Sequence, residues 1–198
     1  MENIAGDAVQ LLTMASYIRR KGILVDVNCD DITDYSCYDI IHLFNLTRIS
    51  ETYGYFQKAK KSGKPVVITP IYWDLSKYYS HIDSSEHIAV WEKNAPFRRE
   101  ILNGCDMIYP SSEKEEILIK KNYGRHLPCT IIYNCIDKSK FSLESGYGGE
   151  KCVLCVARIC LRKNQLALAK ACADLGEKLI LVGRSEERRV GKECRSRW

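Results

Sequence analysis

Apolar positions recur at helical spacing in the stretch GDAVQLLTMASYIRRKG. Val9, Leu12, Ala15 and Ile18 form one stripe there, and Gly22 ends it behind three basic residues. ILVDV (Ile23 to Val27) predicts a short strand. YDIIHLFNL predicts a second strand, nearly continuous in apolar residues and so buried on both faces. ISETYGYFQKAKKSGK predicts a helix with a basic end and a glycine stop, and PVVITPIY a strand broken at Pro70. Lys77 to Asn103 is aromatic, polar and largely helical in pattern. CDMIYPS predicts a strand, SEKEEILIKKNYG a helix capped by Ser111 or Ser112, and CTIIYNCID a strand ending at Asn134. After KSKFSLESGYGGE, which has a linker's glycine, serine and charge content, CVLCVAR, KNQLALAKACADLG and KLILVG predict strand, helix and strand.

Alternating strands and helices of this size imply an α/β fold of βαβ units on a parallel sheet. Two Rossmann-like domains are expected, at 1–145 and 146–183. The second has two strands and one helix, too few to close a core, so its strand Leu179 to Val182 should keep an exposed apolar face. A doubly wound domain normally feeds its first helix from a strand, and none precedes AGDAVQ. The first strand is therefore expected to be missing, with Met1 either an internal methionine or a mis-assigned start.

Composition adds limits. The 198 residues are 45% hydrophobic and 28% charged, enough apolar material for a sizeable core. No stretch has the continuous apolar length of a membrane span, and no secretion signal starts the chain, so the expected location is cytoplasmic. Of the net charge of +5, residues 184–198 carry +3, leaving too mild a balance elsewhere for a nucleic-acid footprint. Ten cysteines without a secretion signal argue against a disulfide framework. Cys152 and Cys155 have redox or zinc-pair spacing, but CVLCVA reads as a strand, where positions three apart face opposite ways. Buried, reduced thiols are expected.

Ligands of open α/β sheets collect at the carboxyl ends of the strands. The polar residues there are Gly6 and Asp7 at the first turn, Asn45, Thr69 and Tyr72, Ser111, Asn134 and Arg158. Arg158 follows a strand directly, and Lys163 lies just before a helix whose N-terminus itself favours anions. This suits a diphosphate; a solvated basic loop is the alternative. The chain has no G-x-G-x-x-G after a strand, no G-x-x-x-x-G-K-[ST] and no G-x-S-x-G. His42 lies in an apolar strand and reads as a core histidine rather than a base. His81, His87 and His126 lack metal-ligand spacing. YYSHIDSSEH reads as a polar helix surface before it reads as the wall of an acceptor cleft.

Taken in order, several stretches resemble GT-B glycosyltransferases of the large retaining family 4. GDAVQLLTMASYIRRKGILVDV resembles the family's opening loop and helix, and YDIIHLFN its strand with an aspartate, two hydrophobic residues and a histidine in succession. CDMIYPSSEKEEILI and TIIYNCIDKSKF resemble its next two strand segments, and VLCVARICLRKNQLALAKA the opening of its donor-binding domain. The resemblance spans residues 5 to 183. It implies a GT-B fold, an acceptor-side first domain and the first βαβ of a donor domain. The implied reaction transfers a sugar from a nucleotide-sugar donor to a carbohydrate or lipid-linked acceptor with retention. No metal or other cofactor, no nucleic-acid partner and peripheral contact with a membrane surface are implied as well. Arg158 and Lys163 would bind the donor diphosphate, and Gly6 would let the first loop approach it. Asp7, Asn45, Tyr72, Ser111 and Asn134 would line the cleft. Asp7, Ala157 and Cys135 stand where the family has glycines, and the family's E-x7-E segment has no counterpart. Alternatives are another Rossmann-type nucleotide-binding enzyme and a basic-tailed nucleic-acid binder. The tail RSEERRVGKECRSRW resembles the translation of a short-read sequencing adapter. Residues 184–198 are accordingly expected to form no domain, and the chain as written to be inactive in sugar transfer.

Overall fold

The computed structural model describes residues 6–28, 30–136 and 151–183. The chain divides into two compact units, at Phe141/Ser142 rather than at the expected 145/146. The linker at 138–150 and the tail at 184–198 lie outside the described residues, as do Met1 to Ala5.

The first unit is a three-stranded parallel sheet with helices between its strands. Helix α1 (Gly6–Arg20) comes first, then β1 (Ile41–Phe44), α2 (Ile49–Lys61) and β2 (Val66–Thr69). Helices α3 (Ser76–His81), α4 (Ser85–Lys93) and α5 (Ala95–Gly104) lead to β3 (Met107–Ile108) and α6 (Glu113–Tyr123). The strand order is β1-β2-β3, with Ile41 opposite Val66, Phe44 opposite Thr69 and Ile68 opposite Ile108. All four residues of the central strand β2 are buried, as an apolar run covered on both faces requires. Around it close Leu43, Leu46, Phe56, Ala59, Ile101, Leu102, Ile108 and Ile119.

Two predicted strands take other forms. Ile23 to Val27 joins no ladder among the described residues, and Leu24 is 99% exposed. A side-chain pattern supplies β character, but the hydrogen bonds must come from a neighbouring strand, and none among the described residues pairs with this segment. CTIIYNCID contributes one isolated bridge, Cys129 to Ile108, although Thr130 and Ile132 still donate their N–H groups to Ile108 and Pro110. β1 is buried less evenly than its run of apolar residues suggests, because it has a strand on one side only.

The helical stretch between β2 and β3 is held by a buried cation. Arg98 is 2% exposed. Its guanidinium lies 3.8 Å from the centre of the Trp91 ring and donates to the Tyr123 hydroxyl (2.8 Å) and the Trp91 carbonyl (2.5 Å). Cation–π contact and neutral acceptors together replace the water that burial removes. Tyr72 completes the cluster, stacked on Trp91 and edge-on to Tyr123.

The second unit contains β4 (Val153–Val156), a 3-10 turn (Leu161–Lys163), α7 (Gln165–Asp174) and β5 (Leu179–Val182). β4 and β5 pair in parallel, Val153 opposite Leu179. Its apolar residues remain largely uncovered: Leu154, Val156, Ile180, Leu181 and Val182 are exposed. The expectation of an open face on the last strand agrees with this burial. Cys152 is exposed and Cys155 half-buried, both free thiols, so the expectation that both are buried fails at Cys152, which precedes β4.

At Gly104, the last residue of α5, an added Cβ would lie 2.5 Å from Cζ of the buried Phe56 ring. Gly104→Ala should therefore destabilise the first unit by roughly 1–3 kcal/mol despite alanine's better helix propensity. In a Phe56→Leu background the cost should shrink, and a double-mutant cycle by urea denaturation measures the difference.

Candidate functional site

The carboxyl end of the first unit's sheet is built around two carboxylates. Asp7, in the first turn of α1, receives a 2.7 Å hydrogen bond from the side-chain amide of Asn45 and lies 3.7 Å from the Arg48 guanidinium. Asn45 ends β1 in the left-handed region (φ 71), a conformation its short polar side chain tolerates. Its side-chain oxygen accepts from the Thr47 N–H (2.8 Å) and hydroxyl (2.5 Å), and its carbonyl accepts from the Thr52 hydroxyl (2.6 Å). Asn45 is 8% exposed and serves as the joint between β1, α1 and α2.

The second carboxylate is Glu115, 7% exposed. One oxygen accepts the Tyr72 N–H (2.6 Å); the other accepts the Ser111 N–H and hydroxyl (2.7 Å each). It thereby ties the loop after β2 to the loop after β3. Ser112 is the N-cap of α6 and accepts from the Glu115 N–H at 3.2 Å. The S-x-x-E spacing of Ser112 and Glu115 is that of a capping box, in which the glutamate normally turns back to the cap residue's own N–H. Here it reaches one residue further back and across to the neighbouring loop. Between Pro70 and Tyr72, Ile71 is held at φ 47, a strained conformation for a β-branched residue.

The expected cleft residues are thus placed unequally. Asp7 and Asn45 are in direct contact, while Tyr72 and Ser111 meet through Glu115. Asn134 is exposed and accepts a 2.5 Å hydrogen bond from Gln10 of α1. Tyr72 is 4% exposed, with its hydroxyl accepting from Asn122, so its ring belongs to the core rather than to an open wall. Gly6 begins α1 with nothing within 4 Å of an added Cβ, so packing does not demand a glycine there. Thr69 is buried and bonded at 2.9 Å to the ring of His42. That ring also packs against Phe44 and Tyr109, and burial pushes its pKa from 6.5 down to about 4. His42 is a neutral packing residue, as its place in an apolar strand suggested.

In the second unit Arg158 and Lys163 are both exposed on the connection from β4 to α7. The loop between them is shaped by Gln165, the first residue of α7 and 7% exposed. Its amide donates to the Arg158 carbonyl (2.8 Å), and its oxygen accepts the Cys160 N–H (3.4 Å). Asn164 precedes it in the left-handed region (φ 52) and turns the 3-10 segment into the helix. The two cations therefore stand on a loop closed by a buried side chain, beside a helix start. Sequence reasoning missed Gln165, Gln10 and Glu115. Only Glu115 left a signal, its spacing from Ser112.

No group of three or more histidine, cysteine, aspartate or glutamate side chains suited to a metal ion occurs among the described residues. No helix among them is long and apolar enough to cross a membrane. No protein-family model matches the chain, and no curated protein matches it significantly.

Removing the Glu115 carboxylate strands two backbone donors. Glu115→Ala should cost roughly 3–5 kcal/mol in urea denaturation, and Glu115→Gln clearly less, since its remaining carbonyl oxygen still accepts. A separate effect follows from His42. Between pH 6.5 and about 4 the unfolded chain protonates this ring while the folded protein does not. Stability should accordingly fall with acidification through that window, by at most about 3 kcal/mol from this residue. His42→Gln should flatten that part of a stability-versus-pH curve.

Proposed function

We propose that this chain derives from a nucleotide-sugar-dependent glycosyltransferase of the retaining GT-B type. In this reading the second unit grips the donor diphosphate. The observation that carries it is the Gln165-closed loop. It fixes the backbone at Arg158 and at Cys160, and Lys163 follows two residues before α7 begins. A guanidinium and an ammonium beside a helix start favour a dianionic group. Negative charge that builds on a departing nucleoside diphosphate is stabilised most by donors already in place. Arg158 takes two phosphate oxygens with its planar fork; Lys163 acts as a point charge. Gln165 is a positioning residue that holds the loop between them. Parallel α/β architecture in both units and the ordered set of family-4-like segments support the same reading. The acceptor belongs to the first unit, at the strand ends joined by Asp7, Asn45 and Glu115.

The test is equilibrium binding of nucleoside diphosphates and their sugar esters to the purified chain at low salt. Arg158→Gln and Lys163→Gln should each weaken binding about tenfold, equivalent to about 1.4 kcal/mol. Gln165→Ala should weaken it with both cations intact. Absence of any such binding, or equal binding by all three variants, would leave the loop an ordinary solvated surface.

A further inference from the structure

The loop after β2 holds one residue that the fold does not use. Pro70 and Tyr72 are buried, and Ile71 is half-buried. Asp74, also half-buried, ties the loop to two helices. One of its oxygens accepts the N–H (3.2 Å) and hydroxyl (2.6 Å) of Ser76 in α3; the other accepts the side-chain amide of Asn122 in α6 (3.2 Å). Between them Trp73 is 68% exposed. Among the described residues its indole enters no hydrogen bond and no ring contact.

Exposure alone says little, since single apolar side chains are common on surfaces. The backbone around Trp73 adds the second observation. Ile71 is held at φ 47, and the next N–H, that of Tyr72, is fixed at 2.6 Å by the buried Glu115. Strain that the surrounding contacts maintain points to a site. With both neighbours anchored, the indole starts from a fixed backbone, so a ligand orders little when it binds. The ring also stands past the carboxyl end of the central strand, where open α/β sheets collect their ligands.

The groups in the loop define the chemistry of the ligand. An indole face is apolar and carries the negative side of the ring quadrupole, which attracts polarised C–H groups. Asp74, Ser76 and Asn122 beside it are polar. A carboxylate has about four acceptor sites, and Asp74 uses three, leaving one on the oxygen that faces Asn122. A single ring among hydrogen-bonding groups lacks the apolar core that a protein interface packs around. A ring ligand with a C–H face and a rim of hydroxyls matches both parts.

We propose that Trp73 is the stacking platform of a pyranose-binding subsite, with Asp74 accepting a ring hydroxyl. As the seat of the acceptor sugar it rests on the transferase reading; as a sugar site it stands on the loop alone.

The probes are the methyl glycosides of glucose, galactose and mannose, titrated to high millimolar concentration into the 198-residue chain and followed by NMR. At least one should shift the Trp73 Nε1–H signal, assigned by its loss in Trp73→Phe. Trp73→Ala should weaken that binding at least about tenfold, and Trp73→Phe less, with the urea midpoint of both variants unchanged. Cyclohexanol, a six-membered ring without the hydroxyl rim, should bind at least about tenfold more weakly than the glycoside. Equal binding of cyclohexanol would mean a bare apolar contact and overturn the subsite. A Trp73 signal that moves with protein concentration alone would mean a second copy covers the ring, and overturn it equally. So would glycoside binding undiminished in Trp73→Ala, or no binding of any of the three. Glycoside binding retained in Arg158→Gln supports the subsite whatever the diphosphate result. Diphosphate binding without glycoside binding would sink the subsite and leave the reading of the second unit intact.

Discussion

The carboxyl edge of the first unit depends on the side chain of Glu115. A parallel sheet delivers its strands to one edge and then leaves each following loop with backbone donors that no ladder uses. Three donors from two loops converge on this buried carboxylate, at 2.6–2.7 Å. Charge-assisted bonds of this kind are about twice as strong as neutral ones, and two of these three pin backbone rather than a mobile side chain. Asp7 has a similar role on the other flank, where Asn45 links it to β1 and α2. The region that α/β sheets use for ligands is here organised by acids turned toward their own chain.

The second unit meets the same need with a neutral group. Gln165 uses its amide both ways on the loop that carries Arg158, donating to the Arg158 carbonyl and accepting from the Cys160 N–H. A neutral clamp adds no charge of its own beside the two cations, where a carboxylate such as Glu115 would add a negative one. The contrast is between a buried acid, Glu115, at the first sheet edge and two exposed cations, Arg158 and Lys163, at the second.

Much of the fold was legible in the chain, and the failures are instructive. β1, β2, β3, β4 and β5 and their intervening helices fall where periodicity and glycine stops place them. ILVDV has the composition of a strand yet forms none among the described residues, since composition by itself supplies no hydrogen-bonding neighbour. Asn45 and Tyr72 follow strands, which by position alone puts them at the cleft. Position alone does not tell that Asn45 is consumed by Thr47, Thr52 and Asp7, or that Tyr72 turns inward onto Trp91. Glu115 sat unnoticed in the charge run SEKEE, where a buried acid looks like its solvated neighbours. Arg98 was hidden likewise in APFRRE, one arginine buried and the next not.

Ile71 gives the first unit a built-in point of release. A β-branched residue at φ 47 stores about 1–3 kcal/mol that the chain recovers as soon as the loop lets go. The Tyr72 N–H bond to Glu115 is the catch that keeps it set, one residue away. Local opening should therefore start at this peptide, ahead of any fraying of the sheet, and it would draw Tyr72 out of the aromatic cluster around Arg98. Tyr72, beside the strained peptide, packs on Trp91 and Tyr123, so the loop after β2 is tied directly to the helical layer.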